Sequence, residues 1–119
     1  AKQLLGQAAE NAACVYLQAQ GLTLLNRNFH ARQGEIDLVM LEKNTLVFVE
    51  VRFRSRSDFG DAATSVTRAK QQKIIATARY FLHHHPKYVN LAARFDVVAI
   101  QPQGQQWQID WIPAAFLAA

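Results

Sequence analysis

Residues 34–54 read GEIDLVMLEKNTLVFVEVRFR, in which two runs rich in Val, Ile, Leu and Phe, residues 36–41 and 45–53, flank a polar break at Lys43-Asn44. That pattern predicts a β-hairpin. With Lys43 and Asn44 as a two-residue loop, Leu46 faces Leu41, Phe48 faces Val39 and Glu50 lies opposite Asp37. Directly opposed Cβ atoms in an antiparallel pair lie roughly 4.5–5.5 Å apart, and like charges there repel. At about 5 Å and an effective dielectric of about 20 the repulsion is on the order of 3 kcal/mol, or roughly two pK units. Protonation of one carboxylate, a neighbouring cation, or a divalent metal held by both would offset it. Arg52, two residues beyond Glu50, projects from the same face and supplies such a cation. Asp37, Glu50 and Arg52 are therefore the candidate chemical set, and a surface ion-pair cluster is the plain alternative.

Working outward, 119 residues with 50% hydrophobic content suffice for a single domain over 1–119 with one core. No apolar run reaches the ~18 residues of a bilayer span, and AKQLLGQAAENAA at the start lacks the apolar centre of a secretory signal. These features predict a soluble protein without a membrane partner. Cys14 is the single cysteine, so neither an internal disulfide nor a Cys-based zinc site can form, which fits a reducing cytoplasm. Its apolar neighbours Ala13, Val15 and Leu17 predict a buried, structural thiol.

Net charge is +4, and its distribution is more informative than its size. Arg52, Arg54, Arg56, Arg68, Lys70, Lys73 and Arg79 stand against only Asp58 and Asp61 in that segment. A basic segment beside an acidic pair suits a nucleic acid, and a solvated basic face is its simpler counterpart.

Residues 4–20 predict a helix, with Leu5, Ala8, Ala9, Ala12, Ala13, Tyr16 and Leu17 on one face and Gly21 as C-cap. Glu10 falls on the flank of that stripe, facing solvent or reaching a site at the sheet edge. Residues 22–29 lead into or form a short edge strand. Arg27 and Arg32 follow as candidates to contact a phosphate or the acidic pair, against the ordinary fate of solvated arginines. Residues 55–63, SRSDFGDAA, read as a loop that either clamps substrate or simply connects. Ser65 or Thr67 then caps a helix running to about His84, whose first turns carry Arg68, Lys70 and Lys73 and so favour an anion such as phosphate. His83, His84 and His85 point about 100° apart on a helix and cannot all bind one ion. Pro86 ends that helix. Residues 91–100 and 107–112 predict two paired strands, with Asp96 ion-paired to Arg94, and the final PAAFLAA a helical turn or frayed end.

Two carboxylates on adjacent strands with a cation two residues on is an arrangement suited to metal-assisted phosphodiester hydrolysis. Magnesium takes one or two protein carboxylates and several waters, and bridges to substrate phosphate. In order along the chain, G-x-x-x-E (Gly6, Glu10), NRNF (Asn26 to Phe29), GEIDLV (Gly34 to Val39), FVEVRFR (Phe48 to Arg54), Gly60, the segment from Thr67 to Lys73 and RFDVV (Arg94 to Val98) together resemble the YraN-like bacterial family. That family is similar to restriction-endonuclease-like proteins, including archaeal Holliday junction resolvases.

The resemblance implies an α/β, restriction-endonuclease-like three-layer fold, with a central mixed sheet built on a β-hairpin and flanking helices. It implies a Mg2+- or Mn2+-dependent endonuclease acting on DNA, branched or single-stranded, and a homodimer by analogy with resolvases. Asp37 and Glu50 would match the two metal-binding acids, and Glu10 the first-helix acid that completes the metal shell. Arg52 stands where the superfamily has a lysine. An arginine neutralises charge but cannot give up a proton at any working pH. Three readings follow: a metal-dependent endonuclease or junction resolvase, a nucleic-acid-binding module that has lost hydrolysis, and a protein-interaction domain whose acids pair with Arg52 and Arg54. The basic residues assigned to nucleic acid are Arg27, Arg32, Arg54, Arg56, Arg68, Lys70 and Lys73.

Overall fold

The computed structural model describes residues 2–54 and 66–118. Arg56, Gly60, Ser65 and the loop expected at 55–63 lie outside the described residues. In chain order the elements are α1 (Lys2–Ala19), β1 (Thr23–Ala31), β2 (Gly34–Glu42), β3 (Thr45–Phe53), α2 (Arg68–His84), a 3-10 turn at Pro86–Tyr88, β4 (Ala92–Gln103) and β5 (Gln106–Phe116). The strands form one sheet in the order β1-β2-β3-β4-β5. β3 and β4 are parallel, joined through α2, and the other three pairs are antiparallel. No helix among the described residues is long and apolar enough to cross a membrane.

Alternation along the inner strands divides the apolar residues between two faces. Leu46, Phe48, Phe95, Val97 and Ala99 pack beneath α2 with Ile74, Ile75, Ala78 and Phe81. Val47, Val49, Val98, Ile100, Leu38 and Met40 pack beneath α1 with Ala9, Ala13, Cys14 and Leu17. This is a three-layer α/β arrangement with a mixed sheet in the middle, as the resemblance implies. The single core expected from composition is thus cut in two by the sheet. Small side chains on α1 let it lie close, and burial pushes the Cys14 thiol above its ordinary pKa, away from the reactive thiolate.

The hairpin holds its predicted register, with Leu41 opposite Leu46 and Val39 opposite Phe48, and Lys43 takes a positive φ of 54° in the turn. Thr67 caps α2, its hydroxyl accepting from the Lys70 amide at 3.1 Å.

At the chain's end the structure corrects the sequence. The PAAF segment, expected as a helical turn or a frayed end, continues β5 to Phe116. The reason is a bulge. Phe95 pairs with Phe116 and Val97 with Ile112, so three residues of β5 loop over Asp96. The Asp96 carboxylate, 0% exposed, fills that loop. It accepts from the Ala114 amide at 2.9 Å, Trp111 Nε1 at 2.9 Å and Arg94 Nε at 3.0 Å. Arg94 also reaches Glu42 at 2.8 Å. A fully buried carboxylate is tolerated only when hydrogen-bonded and paired in this way. Asp96→Ala, which orphans the Arg94, Trp111 and Ala114 donors together, is expected to cost about 3–5 kcal/mol in urea unfolding. Asp96→Asn keeps part of the set and is expected to cost less.

Candidate functional site

The site forms where β2 and β3 part. Their ladder ends at Leu38 opposite Val49, although β3 continues beside β4 to Phe53 and β2 beside β1 to Gly34. On the other side of β2, the ladder to β1 skips Asn28 and Asp37. Asn28 adopts φ 52°, a left-handed geometry that asparagine tolerates better than most residues. Both strands turn over at this point. Ile36 packs on the α2 side and Leu38 on the α1 side, where uninterrupted alternation would put them together.

Asp37 is thereby freed from ordinary strand geometry, and its Oδ2 accepts the Val51 amide of β3 at 2.7 Å. Glu50 shares the α2-side face of β3 with Phe48 and is only 6% exposed. Burial first, and then the Glu50 charge, push the Asp37 pKa up to about 8; the Val51 amide opposes this, while a hydrogen bond to Glu50 and the Glu10 charge add to it. Asp37 and Glu50 thus act on each other across the split, as a splayed pair in place of the directly opposed rung that the register predicted.

Two cations flank Glu50. Arg52 Nη1 lies 3.7 Å and Lys70 Nζ 3.6 Å from Glu50 Oε2, and both are partly exposed. These separations compensate charge without forming tight hydrogen bonds. Lys70 was expected to face phosphate or nucleic acid rather than the acids, and the fold brings it from the first turn of α2 to the acid pair. No sequence spacing encodes that meeting, because it depends on how α2 docks. From the other layer Glu10 meets Arg27 at 2.9 Å, so neither is a solvated side chain. In this conformation Glu10 is engaged by Arg27 and acts on Asp37 through its charge. Arg32, Arg68 and Lys73 are exposed, and the Arg54 amide continues the strand pairing by donating to the Ile100 carbonyl at 2.8 Å.

The donor set suits a small, hard cation. Magnesium asks for one or two carboxylates and keeps its waters, and Asp37 with Glu50 presses two acids together at a partly open edge. Among the described residues there is no group of three or more His, Cys, Asp or Glu side chains placed to hold an ion. Asp37 and Glu50 would hold it, with water and substrate completing the shell.

The family model described as "Uncharacterised protein family UPF0102" matches residues 9–100. The chain belongs to the UPF0102 family. Among its curated relatives, a UPF0102 protein of Saccharophagus degradans is 54% identical over 111 residues, covering 93% of this chain and 91% of the relative. One from Alcanivorax borkumensis is 45% identical over 116 residues, covering 97% and 93%. One from Psychrobacter is 48% identical over 128 aligned positions, covering 98% and 90%. The YraN-like resemblance drawn from the motifs is to this UPF0102 family.

The raised Asp37 pKa carries a stability consequence with a definite sign. The folded protein holds this proton more tightly than an unfolded chain, where Asp ionises near 3.9. The resulting stabilisation is complete below about pH 4 and is lost as pH rises through about 8. Asp37→Asn is expected to remove that loss. Urea midpoints between pH 5 and 9 should fall for wild type across the neutral range, and the variant should lack that component.

Proposed function

We propose that this UPF0102 protein is a divalent-metal-dependent nuclease that hydrolyses DNA phosphodiesters at the split between β2 and β3. The observation that carries the reading is the convergence of Asp37 and Glu50, held together against their repulsion, with Arg52 and Lys70 at 3.7 and 3.6 Å from Glu50. Mg2+ or Mn2+ bound by the two acids would withdraw charge from the scissile phosphate and lower the pKa of an attacking water. Arg52 and Lys70 then turn from Glu50 toward the phosphate oxygens and take up the negative charge that grows on them. Glu10 would join the acids only by giving up Arg27, so its contribution is to tune Asp37. A resolvase-like pairing of two chains on a branched junction is the extension of this reading, checked by sedimentation with and without junction DNA.

A binding module of the same fold, without hydrolysis, is the second reading, favoured by Arg52 in the place of a lysine. Arginine remains protonated and cannot serve as a base. The deciding experiment is a cleavage panel of branched, flapped, single-stranded and duplex DNA with manganese. Wild type should cleave at least one of these, and Glu50→Ala should lower the rate by about 100-fold or more. Lys70→Ala and Arg52→Ala should each cost about tenfold if they stabilise developing charge. Salt-sensitive binding with no cleavage of any substrate selects the module instead.

Metal binding also has a proton signature. Asp37, with its pKa near 8, is mostly protonated at pH 7 and must ionise to hold an ion. Magnesium titrations in buffers of different ionisation enthalpy should show release of close to one proton at pH 7 and much less at pH 9. Asp37→Asn should abolish both the binding and the release.

A further inference from the structure

We infer that one flank of α2 is a track for an unpaired DNA strand, on which Tyr80 and His84 stack a base while Lys70 and Lys73 hold the phosphates leading to the acid pair. This deepens the nuclease reading and rests on it for the destination of the strand. At about 100° per residue, Lys70, Lys73, Tyr80 and His84 fall within about 80° of one another around the helix. That stripe borders the face that buries Ile74, Thr77, Ala78 and Phe81.

Its position on the molecule is fixed by contacts at three points. Lys70 stands 3.6 Å from Glu50. A Cβ at Gly34, the first residue of β2, would meet Thr77 Oγ1 at 3.3 Å and Lys73 Cβ at 3.6 Å. Farther along, the Tyr80 ring lies 6.0 Å from Phe29. The stripe therefore begins at the acid pair and runs past the β1–β2 turn, where exposed Arg32 is two residues from Gly34. Ten residues of helix place Tyr80 about 15 Å from Lys70 along the axis, a span of a few nucleotides.

The chemistry of the stripe suits a single strand more than a duplex. Tyr80 is 38% exposed, a large aromatic left at the surface, and His84 stacks against it with ring centroids 4.2 Å apart and planes tilted by 34°. The His84 ring is itself steadied by Nδ1 against the Tyr80 carbonyl at 3.1 Å. The pair is a preorganised π surface beside cations. Unpaired bases offer their faces to such surfaces, with no hydrogen-bond readout, whereas bases in a duplex are already stacked on one another. Arg32, Lys70 and Lys73 give the charge that complements the strand's phosphates.

The test is fluorescence anisotropy with a labelled oligothymidylate, the same oligonucleotide carrying abasic sites, and a duplex, all in EDTA so that binding is separated from cleavage. Wild type should bind the intact strand more tightly than the duplex or the abasic strand. Tyr80→Ala should weaken the intact strand by about tenfold and bind intact and abasic strands alike, while Tyr80→Phe, which keeps the ring, should stay within about twofold of wild type. Tyr80→Leu keeps apolar packing against Phe29 and should weaken binding as alanine does, which separates ring stacking from loss of fold. Lys73→Gln should reduce the salt dependence by about one phosphate contact.

Equal affinity of wild type for intact and abasic strands, or wild-type affinity in Tyr80→Leu, overturns the track. If manganese-dependent cleavage persists in that case, the nuclease reading survives it. A wild-type protein that binds none of the three DNAs overturns the track as well, and the manganese cleavage panel then decides the nuclease reading separately.

Discussion

Everything distinctive in this molecule depends on the place where two neighbouring strands stop pairing. Had the hairpin stayed closed beyond Leu38 and Val49, its next rung would have set Asp37 directly against Glu50 and given the Val51 amide an ordinary backbone partner. The Asp37 carboxylate instead accepts that amide at 2.7 Å. One hydrogen bond thus satisfies a backbone donor that the split would have orphaned and pins an acid between two layers that the sheet otherwise keeps apart. Glu50 approaches from the α2 side, and Glu10 with Arg27 from the α1 side. A side chain in the plane of the sheet is what lets charges on both faces act on one another.

The electrostatics follow from this placement. Asp37 is held at the boundary of ionisation by burial and by Glu50, while the cations nearest Glu50 stand off at 3.6 and 3.7 Å. Those cations are partly exposed, so solvent screens the charge they lend to Glu50. Asp96 makes the opposite choice. Its carboxylate is sealed by short hydrogen bonds and belongs to the architecture alone.

Much of this was legible in the sequence because it is local. The two-residue turn at Lys43 and Asn44 set the strand register, period-two alternation set the faces, and Thr67 and Pro86 marked the ends of α2. The acid pair was legible for the same reason, since its members are linked by one short hairpin. What was hidden is tertiary or irregular. Lys70 reaches Glu50 only because α2 packs across β3, and the meeting of Glu10 with Arg27 needs α1 laid on β1. The turnover at Asn28 and Asp37 has no stronger signature than an asparagine in the polar Asn26-Arg27-Asn28 stretch of β1. The bulge in β5 hid behind Pro113 and two alanines, which read as the end of a strand when they are a loop around Asp96.

That bulge, together with one in β1 where Leu25 is the extra residue between the Leu24–Met40 and Asn26–Val39 pairs, has a consequence for how the molecule meets its neighbours in a crowded solution. The inner ladder between β3 and β4 runs in unbroken register, whereas the outermost strands β1 and β5 both carry an extra-residue bulge and a left-handed residue, Asn28 or Ala114. A straight border with evenly spaced amides would invite a foreign strand to add itself, the first step of fibril growth. Here each border is crimped, and β5 also loses an amide at Pro113. The irregularities that shape the acid site and seat Asp96 therefore also guard this protein against self-association through its sheet.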